Sequence, residues 1–304
     1  MDNRREINEF LTSRRGRVHP QDCGLPALDV RRRVPGLKRE EVALLAGVSV
    51  DYYARLERGQ LGGVSAGVLD AVAEALKLDD AERQHLRDLA EAAGAPERKL
   101  RTRTQRAAAV RPSVRALLAG MTAVPAYVRN ARMDILAANE LCLALYDGIL
   151  HAEQPSNIAR FVFLDGRAHG FFVDWDEVAD STVGSLRAEA GRNPLDKQLT
   201  DLIGELSARS HPFATRWAQH NVRTHRTAIK RLHNSVIGDI QLTGDALELP
   251  GDGLTIIAYT AQPGSVDEEK LTLLASWQGN ATPRQNMTGN EVERSEPLAG
   301  TLPE

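Results

Sequence analysis

In REEVALLAGVSVDYYARLER, residues 39–58, small, apolar and polar side chains fall at spacings that sort them onto two faces. Ala43 is small where a second helix must lie against a first, Gly47 stands where a tight turn needs a positive φ, and Val42, Val48, Tyr53 and Leu56 form an apolar wedge. Those inward positions leave Ser49, Val50, Asp51, Ala54, Arg55 and Arg58 facing outward. Arg55 can donate two hydrogen bonds to guanine O6 and N7, Val50 can touch a thymine methyl, and Asp51 can accept from cytosine or hold Arg55 in place. Lys38, Arg39 and Tyr52 sit where phosphate contacts set register, and Arg31, Arg32 and Arg33 can follow the backbone or enter a minor groove. The competing reading is a helical hairpin buried for packing alone. The joint spacing of Ala43, Gly47 and the wedge favours a projecting helix, which fits a major groove roughly 12 Å wide.

Such a face needs a small helical unit to hold it, and residues 5–95 read as one. Ile7, Phe10 and Leu11 recur at helical spacing in a segment that ends before Pro20; Val42, Leu45 and Ala46 share the inner face of the next helix; Ser49 starts a third. Ser65 caps a fourth helix with Val68, Leu69, Val72, Ala73 and Leu76 inward, and a fifth carries acids in its first turn and stops at Gly94 and Pro96. Beyond it, ERKLRTRTQRAAAVRPS is basic and almost without apolar residues, as a solvated linker is. VPAYVRN, DILAAN, TAIKRLH, SVIGDIQL, DALELP and LTIIAYTA then read as strands of an antiparallel meander, with turns at His233–Ser235, Thr243–Gly244 and Pro250–Gly253. NELCLALYDG and much of residues 157–226 read as helices. The expected division is a DNA-binding domain at 1–95, a basic linker at 96–111, a second domain at 112–278 and a polar, disordered tail at 279–304.

The charge pattern fits a polyanion partner for the first part alone, and fits plain solvated surface as well. Residues 1–115 hold 22 Lys and Arg against 17 Asp and Glu, whereas the remainder holds 16 against 24, inside a net charge of −3. Two distant cysteines, Cys23 and Cys142, give neither a disulfide framework nor a Cys-x-x-Cys pair. No apolar run approaches the roughly 18 residues of a membrane span, so the chain is expected in the cytoplasm, neither exported nor inserted.

Enzyme motifs fare poorly. GVSAG at residues 63–67 matches G-x-S-x-G, yet ERGQLG precedes it where a nucleophile elbow requires an apolar strand, so Ser65 is read as a helix cap. His211, His220, His225 and His233 cluster in sequence without a zinc spacing, and no glycine-rich loop carries G-K-[ST]. No enzyme, cofactor or metal is expected.

RRRVPGLKREEVALLAGVSVDYYARLERGQLGGVSAGVLDAVAEALKL resembles the DNA-binding half of the MmyB-like branch of xenobiotic-response-element-type (XRE) regulators. VPAYVRNARMDILAAN, RFVFLDGRAHGFFVDWDEVA, LRAEAGRNPLDKQLTDLIGELSARS, FATRWAQHNV, KRLHNSVIGDI and AYTAQPGS are similar to that branch's ligand-binding domain. The resemblance spans residues 4–265, with Asn234 and Ser235 replacing an expected His-Pro pair and Gly166 and His169 replacing Pro and Arg. It implies an all-α, five-helix, lambda-repressor-like domain joined to a PAS-like antiparallel-sheet domain with helices, a multidomain α and α+β chain. It also implies a transcription regulator that senses a small hydrophobic, fatty-acid-like ligand.

Candidate ligand contacts are Tyr127, Phe161, Phe163, Trp175, Phe213 and Trp217 for an apolar pocket, Asn139 for orientation, and Arg160 and Lys230 for a carboxylate. The aromatic residues serve equally as core, and Asn139 as a helix cap. The expected partners are a double-stranded DNA operator, a small ligand and a second copy of the chain in a homodimer, with no membrane. The alternative is a DNA-binding regulator whose second domain only dimerises or binds protein.

Overall fold

The computed structural model describes residues 2–25, 36–95, 110–150, 156–222 and 227–281. Arg31, Arg32 and Arg33, linker residues 96–109 and tail residues 282–304 lie outside the described residues.

Among the described residues the N-terminal unit has five α-helices, α1 (Asn3–Arg17), α2 (Arg39–Leu45), α3 (Val50–Glu57), α4 (Ala66–Ala75) and α5 (Asp80–Gly94), and a short 3-10 helix at Pro20–Cys23. Asp2, Ser49, Ser65 and Asp79 accept hydrogen bonds from backbone N–H groups in the first turns of α1, α3, α4 and α5. Gly47 sits at φ +65° between α2 and α3, a left-handed conformation that a side chain would strain. Ile7, Phe10, Leu11, Val42, Tyr53 and Leu56 meet in one core. Leu45 departs from the expected inward face: it is 36% exposed, and Val42, Ala43 and Ala46 carry the buried side of the helix.

The second part has a six-stranded antiparallel sheet in the order β3-β2-β1-β6-β5-β4. Its strands are β1 (Ala126–Asn130), β2 (Asp134–Ala138), β3 (Ser156–Asn157), β4 (Thr227–Asn234), β5 (Gly238–Leu249) and β6 (Leu254–Thr260). Alternation sends Tyr127, Ile257 and Tyr259 to one face and Ala126, Val128, Ile256 and Ala258 to the other. Helix α6 (Pro112–Gly120) covers the second face through Val114 and Leu118. The first face meets α7 (Glu140–Leu145), α8 (Ile158–Leu164), α9 (Ala168–Phe171), α10 (Trp175–Arg192), α11 (Lys197–Arg209) and α12 (His211–Trp217). A last helix, α13 (Val266–Ala281), adds Leu271 and Leu274 to that core.

Two expectations are corrected here. The turn at Thr243–Gly244 does not form; β5 runs through it, pairing Gly244 with Ala228 on one side and Tyr259 on the other. Gly244 makes room for a neighbour instead of a bend: a Cβ there would stand 3.0 Å from Tyr259 Cε1. The tail's first residues, 279–281, continue α13.

The core of the N-terminal unit also includes Ala188 of α10 and Val222, which follows α12. Helix α10 therefore lies between the two cores, giving Val178, Ala179, Val183, Leu186 and Ala190 to one and Ala188 to the other.

Candidate nucleic-acid interface and ligand pocket

Helix α3 presents Ser49, Val50, Asp51, Arg55 and Arg58 to solvent, with Tyr52 and Ala54 half-buried behind them. Val50 is 43% exposed, well above what a wedge residue such as Tyr53 shows. The Arg55 guanidinium lies over the Tyr52 ring at 5.2 Å, and among the described residues it pairs with no carboxylate. The ring holds the long side chain along the helix without consuming its donors. Asp51 therefore does not hold Arg55 in this arrangement; Tyr52 does.

What fixes α3 is a buried carboxylate. Glu57 is fully buried and accepts from Arg15 Nε at 3.1 Å, Arg15 Nη2 at 2.8 Å, Thr12 Oγ1 at 2.8 Å and Arg39 Nε at 2.5 Å. Burial by itself would raise the Glu57 carboxyl, but the hydrogen bonds from Arg39, Arg15 and Thr12 outweigh it and hold the group below its ordinary value. Helices α1, α2 and α3 are thus pinned at one point. Arg39 keeps an exposed outer edge at the N-terminus of α2, beside Lys38, whose backbone N–H donates to Glu41 Oε2 at 2.6 Å. Sequence reasoning passed over Glu57 and Arg15; the signal was an acid four residues after Tyr53, on the same buried face.

In the second part, an open pocket of about 450 Å³ is lined by the apolar Ile149, Leu150, Phe161 and Leu164 and by the charged Arg160, Arg209 and Asp165. Both arginines reach Glu205: Arg160 Nη2 at 2.8 Å and Arg209 Nη1 at 2.8 Å. The hydrogen bond from Arg160 is the chief reason that the Glu205 carboxyl is held below its ordinary value.

Of the expected ligand contacts, Arg160 and Phe161 line this pocket, and the others lie elsewhere. Tyr127 is buried beside Tyr146 and Tyr259, whose hydroxyls are 2.8 Å apart. Phe163, Trp175, Phe213 and Trp217 form a run of ring contacts behind α8, with Phe163 and Phe213 centroids 5.1 Å apart and Phe213 stacked on Trp217 at 5.6 Å. Lys230 is on edge strand β4. Asn139 caps α7: its oxygen accepts from Ala126 and Cys142 N–H, and its amide donates to the Met121 and Val124 carbonyls, which leaves no polar hydrogen for a ligand.

Ser65 of the GVSAG stretch caps α4 and has no strand before it. Among the described residues, Glu6, Glu9 and His220 bring three potential metal-ligand atoms within 4.8 Å, where the guanidinium of Arg187 already neutralises Glu6. No described helix is long and apolar enough to cross a membrane.

The profile of the MmyB-like transcription regulator ligand binding domain matches residues 110–274, and that of a helix-turn-helix domain matches residues 7–86. No curated protein matches the chain.

Proposed function

Since the chain belongs to the MmyB-like transcription regulators, we propose that it binds a specific DNA operator through α3 and adjusts that binding to a small hydrophobic carboxylate held in its second part. The observation that carries the reading is the outward face of α3, where Arg55 lies over Tyr52 and pairs with no carboxylate among the described residues while Glu57 pins the helix from behind. Val50 and Asp51 supply the remaining base contacts, and Lys38, Arg39 and Arg58 the phosphate contacts. The working division is 1–95 for DNA, 96–111 as the connection and 112–278 for the ligand, and the protein acts in the cytoplasm without catalysis.

A fatty-acid-like ligand suits the pocket chemically. Ile149, Leu150, Phe161 and Leu164 would cover an alkyl chain, and Arg160 and Arg209 would meet the carboxylate in exchange for Glu205. A single α3 covers only a few base pairs, so a homodimer on two half-sites about 34 Å apart completes the reading. Selection of bound genomic fragments tests it: an inverted repeat with half-sites one helical turn apart supports the proposal, and binding without any shared sequence contradicts it.

A further inference from the structure

The two parts meet across a buried polar contact. Arg187 of α10 has a fully buried side chain; Nη1 donates to Glu6 Oε1 of α1 and stands 2.9 Å from His220 Nδ1, and Nη2 donates to the Trp217 carbonyl. The Trp217 ring lies 4.0 Å from the same guanidinium. Around this pair, Arg14 pairs with Glu82 at 2.9 Å and donates to the His220 carbonyl, and Arg192 reaches Asp88 at 2.9 Å. The close approach is backbone-deep: a Cβ on Gly191 would stand 2.5 Å from His85 Cε1.

This contact is held at a cost. Arg187 Nε and both ring nitrogens of His85 are buried without a hydrogen-bond partner. His220 adopts φ +54°, a region that L residues rarely enter. A buried ion pair also offsets its attraction with desolvation.

It is also connected to the pocket. Arg160, Phe161 and Leu164 of α8 line the pocket, while Phe163 of the same helix meets Trp175 at the start of α10 and Phe213 of α12. Trp175 Nε1 donates to the Val162 carbonyl of α8 at 2.9 Å. Phe213 stacks on Trp217, and Trp217 lies against Arg187. A shift of α8 thus reaches Arg187 both along α10 and through the stacked rings.

We propose that the Arg187–Glu6 pair is a releasable latch between α10 and α1, through which occupancy of the α8 pocket alters how the helix-turn-helix unit is held. The inference rests on the sensing role proposed above. It assigns to Arg187 a positioning role, touching neither DNA nor ligand, and makes the docked and released arrangements the two states that a ligand must distinguish.

Hydrogen exchange by mass spectrometry on the full chain, with dodecanoate as the probe, tests the latch. In the wild type, dodecanoate protects α8 and changes exchange in α1 and α5. Arg187→Met without the probe exchanges about tenfold faster or more in α1 and α5 while β1 and β6 keep their protection. With dodecanoate this variant still protects α8, and α1 and α5 no longer respond. If α1 and α5 behave in Arg187→Met as in the wild type while α8 is protected, the latch is overturned and sensing stands. If dodecanoate leaves α8 unprotected in the wild type, the pocket reading falls and transmission with it. Glu6→Gln, of the same shape and without the charge, gives the same comparison should Arg187→Met also lose protection in β1 and β6.

Discussion

Arg39 Nε lies 2.5 Å from Glu57 Oε2, which joins the first residue of the leading helix of the helix-turn-helix to the last residue of its second helix. With Arg15 on the other oxygen, one carboxylate sets the angle between α1, α2 and α3.

Glu57→Gln should therefore destabilise the protein by about 3 kcal/mol, because two arginines lose their shared counter-charge. The sign with pH follows from the lowered folded value: the contribution is present above the ordinary carboxylate pKa of 4.5 and is lost as pH falls through the folded value. Urea unfolding at neutral pH and below pH 4 checks both, and the gap between wild type and variant should shrink in acid.

Gly191→Ala tests the approach of α10 to α5. The added methyl points at the His85 ring, so α10 must move outward, at a cost of about 1–3 kcal/mol. Thermal unfolding should show that loss, and α5 should exchange faster while β1 does not.

Docking of the two parts should loosen in mild acid. Burial is the main cause that lowers the His85 pKa from its ordinary 6.5; Glu6 and Asp88 act the other way, and Arg187 reinforces the lowering. A base that stays neutral when buried yet protonates when exposed contributes stability above pH 6.5 and loses it as pH falls, by about 1.4 kcal/mol per unit between the two values. For Glu6, burial would raise the carboxyl, but His220, His85 and the charge of Arg187 hold it well below the ordinary range, so it strengthens the same trend nearer pH 4. Exchange rates in α1 and α5 between pH 7 and 5, corrected for intrinsic chemistry, should climb in the wild type and much less in His85→Leu.

Arg160→Ala combined with Arg209→Ala should weaken dodecanoate binding about fivefold to tenfold and leave dodecanol binding nearly unchanged, since only the carboxylate meets the arginines. Titration calorimetry with the two probes separates these outcomes. An equal loss for both would mean that the arginines shape the pocket without recognising charge.

The helix-turn-helix was legible because its determinants are local. Gly47, the cap at Ser49 and the wedge around Tyr53 all lie within one 20-residue stretch and act through neighbouring turns. The strands were visible in their alternation, but Gly244 read as a turn because its reason for being glycine, the Tyr259 ring, lies on another strand. The pocket was only partly legible: Arg160 and Phe161 reach it, whereas Trp175, Phe213 and Trp217 pack behind it toward Arg187. Nothing in the spacing of Glu6 and Arg187 announces a pair separated by 181 positions; burial of an arginine inside an otherwise apolar helix face is a signal that only the fold completes.

The most direct measurement is the base preference of Arg55→Ala, obtained by binding a library of operator variants at fixed salt. Tighter wild-type preference at one guanine, relaxed by about 1–3 kcal/mol in the variant with other positions unchanged, is the predicted result. An identical preference profile for both proteins would contradict the assignment of α3 as the reading helix.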